Sequence, residues 1–218
     1  SNLKVGSTNL LPNSDYSFGY DVWGGTLGTI AEINDATSRS KTWKITCTTG
    51  GTLGLQQNSI SRTMSIVKGV KYVLSFKASG TNIAVVDYLH IMRPLGGNQR
   101  LGSVSGLTST TSDFKIEFVA EWSSTTAWLL FGTQLSAGAT ITVSEIKIEE
   151  GSVVTSWAPS PKDVDYQLTQ NAESTRLVQA WVDTNKSNVS DITSIKASTT
   201  AVRNDFDNIL PLIRSVTS

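Results

Sequence analysis

The chain has 218 residues, with 18 basic and 18 acidic side chains and a formal net charge of zero. Balanced charge without long runs of one sign leaves no footprint for nucleic acid, and no apolar stretch is long enough to span a bilayer. Neither nucleic acid nor membrane is therefore expected as a partner. One cysteine, Cys47, excludes a disulfide within the chain, and together with the one histidine, His90, it leaves too few ligands for a zinc site. The opening Ser1-Asn2, without an initiator Met, reads as the start of a fragment cut from a longer polypeptide, with a residual tag scar.

In chain order, Leu10-Leu11-Pro12-Asn13 is expected as a first edge strand, where Pro12 is tolerated because no ladder donor is needed, and Asn13 to Asp15 supply turn chemistry. Tyr16, Phe18 and Tyr20 alternate as edge-strand core residues, and Trp23 and Trp43 sit beside apolar alternation that predicts core packing. Cys47 alternates with Trp43 and Ile45, the pattern of a buried apolar thiol rather than a nucleophile. Gln56 and Gln57 offer polar contacts on a neighbouring strand. Val70 to Ser79 places Tyr72, Leu74 and Phe76 on one face and Val73, Ser75 and Lys77 on the other. In Val85 to Arg93, Leu89 and Ile91 make one face and Val86, Tyr88, His90 and Met92 the other. Phe114, Ile116 and Phe118 alternate with Lys115 and Glu117. Ala127 to Phe131 and Ile141 to Ile148 complete the set, with Ser144 and Glu145 breaking the alternation as a bulge would. Ile146 and Ile148 are expected inward, Lys147 and Glu149 outward, and Trp157 folded back over the sandwich end. Many short antiparallel strands without helices predict two packed sheets.

The chemistry changes after Trp157-Ala158-Pro159-Ser160-Pro161, whose two prolines forbid a ladder strand. The predicted division is a head over residues 1–157, a linker over 158–163 and a helical stalk over 164–218. The stalk carries an apolar seam in alternating steps of three and four: Val178, Trp181, Asn185, Asn188, Ile192, Ile195, Thr199, Val202, Phe206, Ile209, Ile213 and Val216. So narrow a stripe needs partner helices, and β-branched residues at successive seam positions favour three strands. Pro211 is expected to kink the far end or to begin a new element there.

Four separated blocks carry a resemblance: Asn9-Leu10-Leu11-Pro12-Asn13-Ser14-Asp15-Tyr16; Trp23; Gly69-Val70-Lys71-Tyr72-Val73-Leu74-Ser75-Phe76-Lys77-Ala78; and Ile146-Lys147-Ile148-Glu149-Glu150-Gly151-Ser152 through Trp157. They resemble a jelly-roll carbohydrate-binding module, more narrowly the copies in tail, baseplate and receptor-binding proteins of phages that infect Gram-positive bacteria. The segment after Trp157 is similar to the helical connectors that follow such modules. The resemblance implies a jelly-roll β-sandwich followed by an α-helical coiled coil, which the seam residues predict to be trimeric. It further implies location in the virion at the tail tip or baseplate, with host surface polysaccharide, other tail proteins and two further copies of the chain as partners. It also implies a structural calcium near the first and last strands, for which Asn13, Asp15, Glu145 and Glu149 offer oxygens.

A sugar site needs aromatic faces for the C–H side of a pyranose, flanked by groups that bond its hydroxyls. Tyr88 and His90, followed by Arg93, Asn98, Gln99 and Arg100 in a Gly-rich loop, are the first candidates, and Trp122 and Trp128 are further stacking platforms. Core packing of Tyr88 is the competing reading. A glycosidase would need two carboxylates facing each other across a cleft. Asp87, Asp113, Glu117 and Glu121 instead read as a solvated face, and no catalysis is expected. Two alternatives to adhesion are a tail spacer without glycan binding and an ancillary module of a wall-degrading enzyme.

Overall fold

The structure is a computed structural model, which describes residues 8–16, 19–23, 27–57, 63–94 and 96–216; the side chains of Val22, Trp23 and residues 212–216 lie outside that description. The expectations for Phe18, for the Trp23 side chain and for Ile213 and Val216 in the seam therefore fall outside it. The chain divides into two units, residues 1–165 and 166–218.

The first unit is a sandwich of two antiparallel sheets. One sheet contains β1 (Tyr20–Trp23), β4 (Gly51–Gln57), β10 (Ser124–Leu135), β7 (Val85–Met92) and β8 (Asn98–Ser105) in that order, with β5 (Met64–Ile66) also pairing with β10. The other contains β2 (Gly28–Ile33), β3 (Thr42–Cys47), β11 (Thr140–Glu150), β6 (Lys71–Thr81) and β9 (Ser112–Val119). The inner orders β4-β10-β7-β8 and β3-β11-β6-β9 are those of a jelly roll, whose interleaved strands carry the chain from one sheet to the other.

The predicted parities hold for β6 and β9, where Tyr72, Leu74, Phe76, Ile116 and Phe118 are buried in one core with Trp43, Ile45, Cys47, Leu53, Leu55, Leu89, Ile91, Leu129, Phe131, Ile146 and Ile148. Phe76 meets Phe131 edge to face at 4.9 Å, which pins the two sheets together. Two local expectations are corrected and a third holds. Leu10 to Asp15 form a turn rather than an edge strand, with Asn13 at φ 54° and Tyr16 at φ 55°; only Leu10 N donates to β11, at the Ile148 carbonyl (2.8 Å). In β7 the register shifts between Val86 and Leu89, so Val86 turns into the core and parts from Tyr88 and His90. In β11 the predicted bulge is present between Ser144 and Lys147, with Glu145 at φ 51°.

Lys147 and Glu149 do leave the core, but neither reaches solvent: their side chains are 1% and 0% exposed. The 151–157 segment covers them. Lys147 Nζ lies 2.9 Å from Glu149 Oε1 and donates to Thr155 Oγ1 (2.6 Å) and the Ser156 carbonyl (3.0 Å), while Glu149 accepts from Thr155 N (3.0 Å). Burial of this pair is tolerable because both charges are bonded on several sides.

The helix α1 (Pro161–Val216) begins inside the predicted linker. Ser160 caps it: Ser160 Oγ accepts from Asp163 N (3.2 Å) and Asp163 Oδ2 accepts from Ser160 N (3.3 Å), a reciprocal capping box with Pro161 at the first helical position. The supposed linker is held to the turn at residues 9–13, through Asn9 Nδ2 to the Ala158 carbonyl (3.0 Å) and Asn13 N to Asp163 Oδ1 (2.6 Å). In the second unit the helix runs on through Pro211 to Val216, so no new element begins at that proline. Val178, Trp181, Ile192, Ile195, Val202, Phe206 and Ile209 are each more than half exposed on it. Several hydroxyls, Thr184, Thr193, Ser194, Ser198 and Thr199 among them, donate to the carbonyl four residues back, so they do not compete with the helix from outside it.

Candidate functional site

The outer face of the sheet containing β4, β10, β7 and β8 brings part of the predicted site together. Cross-strand register places Gln56, Leu130, His90 and Arg100 on one rung. Gly54, Gly132 and Tyr88 make the next, and Trp128, Met92 and Asn98 flank the first on its other side. Residues paired this way share a face.

The rung of Gly54, Gly132 and Tyr88 has no side chain at two of its three positions, which opens a shallow trough beside Tyr88. Gly54 is required there: a Cβ on it would collide with the Phe131 carbonyl oxygen and with the Gly132 backbone. Isolated glycines within strands signal such close approach, and this was the cue in the sequence that would have added Gly54 and Gly132 to the site. The rings of Tyr88 and His90 lie 4.3 Å apart at 49°, and Arg100 Nη2 donates to the Asp87 carbonyl at 3.0 Å, which steadies the guanidinium at the rim.

Two buried nitrogens on this face, His90 Nδ1 and Trp128 Nε1, have no hydrogen-bond partner among the described residues. Such atoms are uncommon, because each forfeits its hydration without compensation. Burial, and after it the Arg100 charge, holds the His90 imidazole below its usual pKa. The Tyr88 backbone acts the other way and favours the charged ring. His90 is thus a largely buried ring biased toward its neutral form, with Nδ1 left without a partner among the described residues.

Three predicted contacts belong elsewhere. Gln99 points to the core side, donating to the Val119 carbonyl (2.7 Å) and accepting from Glu121 N (2.9 Å), so it ties β8 to the end of β9. Trp122 packs against the core, and Arg93 lies over its ring with Cζ 4.8 Å from the centroid, a cation–π pair that uses both residues. Gln57 is also structural: its amide donates to the Pro12 carbonyl and accepts from Leu129 N. Asp87 accepts from Thr133 Oγ1 and Gln134 N, and Glu117 pairs with Lys71 and Lys115, so these carboxylates are engaged in structural bonds.

The four oxygen donors proposed for calcium do not converge. Asn13 donates its side-chain amide to the Gly19 carbonyl (2.6 Å), the Asp15 carbonyl accepts from Trp43 Nε1 (2.8 Å), and Glu145 accepts from Arg39 N (2.9 Å) and faces Lys77 Nζ (3.3 Å). Glu149 already holds the Lys147 ammonium, which supplies the positive charge a metal would have brought. Among the described residues no cluster of His, Cys, Asp or Glu is arranged to hold a metal ion.

No family model and no curated protein matches the chain. Similar solved structures include the CBM22-1 xylan-binding domain of Xyn10C from Paenibacillus barcinonensis, at 15% identity, TM-score 0.47, covering 69% of this chain and 99% of that one. TmCBM61 in complex with β-1,4-galactotriose is 16% identical at TM-score 0.47, over 65% and 98% of the two chains. The enzymatically active domain of tailspike protein 4 from bacteriophage CBA120 is 15% identical at TM-score 0.49, over 66% of this chain and 21% of that one. Likenesses of this degree assign the chain to no family.

Proposed function

We propose that the chain is a non-catalytic carbohydrate-binding module of a phage tail or baseplate receptor-binding protein, which adheres to host cell-surface polysaccharide as a trimer. The observation that carries this reading is the outer sheet face on which Tyr88 beside its glycine-floored trough, His90 with Arg100, and Trp128 stand on three successive rungs, with two buried nitrogens left without partners among the described residues. A pyranose placed there has an aromatic ring for its C–H face and an amide, an imidazole and a guanidinium for its hydroxyls. The four blocks that resemble phage modules support the setting, and the exposed seam of α1 supports self-association. Shallow sugar contacts are weak singly, and three linked heads raise the effective concentration of each later contact.

The test is binding of the labelled chain to intact Gram-positive cells and to their purified wall polysaccharides, with light scattering on the same sample. Saturable, sugar-competed binding by a trimer is expected. A folded trimer that binds no cell and no glycan across a broad panel would replace adhesion with a spacer role in the tail.

A further inference from the structure

On the opposite sheet, away from the trough, a groove of about 490 Å³ runs between the outer side of β6 and β9 and the covering segment 154–157. Its floor is built from two rungs, Ser75 opposite Lys115 and Lys77 opposite Asp113. Val154 to Trp157 line the groove as well, together with Arg39 and Glu145, whose carboxylate faces Lys77.

The covering segment is fixed before any ligand arrives. The buried Lys147 ammonium holds Thr155 and Ser156 from beneath, and Trp157 Nε1 donates to the Ile146 carbonyl at 3.1 Å. With its only donor used, the half-buried indole offers the groove an aromatic face rather than a hydrogen bond. A preorganised aromatic wall loses little entropy on binding.

The charges lining the groove select the ligand. Arg39, Lys77 and Lys115 stand against Asp113 and Glu145, which leaves one positive charge in excess. Glu145 is already committed to Lys77 and to the Arg39 backbone N–H. Lys115 reaches Glu117 only at 3.4 Å, and Glu117 is shared with Lys71 at 3.2 Å. Among the described residues no carboxylate pairs with the exposed Arg39 guanidinium, whose planar fork matches a carboxylate. A single excess charge suits a monoanion better than a phosphate dianion. Asp113 is left to accept hydroxyls.

We infer that this groove is a second saccharide site, specific for a uronic acid: the pyranose lies against Trp157 and its carboxylate on Arg39 and Lys115. Calorimetric titration of the full chain with tetragalacturonic acid, and with its fully methyl-esterified counterpart, separates charge from ring shape. The acid is expected to bind about tenfold or more tightly than the ester at low salt, a preference that shrinks as salt rises. Arg39→Glu and Lys115→Glu, both at exposed positions, are expected to abolish that preference with an unchanged thermal midpoint, whereas Tyr88→Ala on the other sheet leaves it intact. No binding of the acid, equal binding of acid and ester, or a preference that survives both charge reversals would each overturn the assignment. Loss of the preference in Tyr88→Ala would overturn it as well, by moving the acid to the trough.

Discussion

Asp163, in the first turn of α1, accepts the backbone N–H of Asn13 at 2.6 Å, a buried contact between residues 150 positions apart. The same carboxylate caps its own helix through Ser160. Asp163→Ala removes both bonds and leaves the Asn13 N–H buried without an acceptor. A loss of about 1–3 kcal/mol is expected in denaturant unfolding of the sandwich. An unchanged midpoint would mean that water takes the place of the carboxylate.

Lys147 and Glu149 should behave as a pair rather than as two residues. Lys147→Ala strands the Glu149 carboxylate in a site with no solvent exposure and is expected to cost about 3–5 kcal/mol. Replacing both with apolar residues of similar size, Lys147→Met with Glu149→Leu, should recover most of that loss. A double variant as unstable as Lys147→Ala would show that the hydrogen bonds to the 155–156 backbone, not the charge, hold the segment.

The trough can be tested without disturbing the core, because Tyr88 and Trp128 lie on the outer side of their strands. Tyr88→Ala and Trp128→Ala are each expected to lower glycan affinity about tenfold, with the oligomer unchanged by sedimentation. Full binding by both variants would remove this face from consideration.

His90 gives the sandwich a dependence on acidity of known sign. Its folded pKa is lowered, first by burial and then by Arg100, so the unfolded chain binds more protons between that lowered value and the ordinary one near 6.5. Its contribution is therefore complete above about 6.5 and declines as pH falls through that window. Thermal midpoints measured from pH 7.5 down to 5 should drop more for the parent chain than for His90→Gln. Parallel curves would show that His90 is protonated at no cost in the fold.

The seam of α1 predicts a change of mass. Aspartate at both Ile192 and Ile195 puts charges at adjacent core positions of the proposed trimer, and sedimentation equilibrium should then return a monomer whose sandwich retains its spectroscopic signature. A parent chain that is monomeric at tens of micromolar would dismiss the trimer.

Strand parity was readable wherever a strand had one polar face, as in Phe114 to Phe118 against Lys115 and Glu117. It failed at Val86, where neither face is polar and a register shift between strands, which no single segment encodes, decides the outcome. Lys147 and Glu149 were placed outside the core correctly, but their cover comes from residues 151–157, a long-range closure that alternation does not report. The helix start was legible and overlooked: Ser160-Pro161-Lys162-Asp163 is a capping box with proline at its first position, and the weight given to the two prolines as breakers hid it. Tyr88, His90, Arg100 and Trp128, singled out by their chemistry, share one sheet face. Gln99 was assigned outward because its loop composition outweighed its pairing with the core residue Ile91.

The Lys147 ammonium has a consequence for where such a module can work. It is a counter-ion tethered by covalent bonds, so it cannot be extracted by a chelator, diluted away in fresh water or exchanged for another ion. The closing segment it secures should therefore hold its shape equally in calcium-poor and calcium-rich surroundings, a form of environmental indifference written into one side chain.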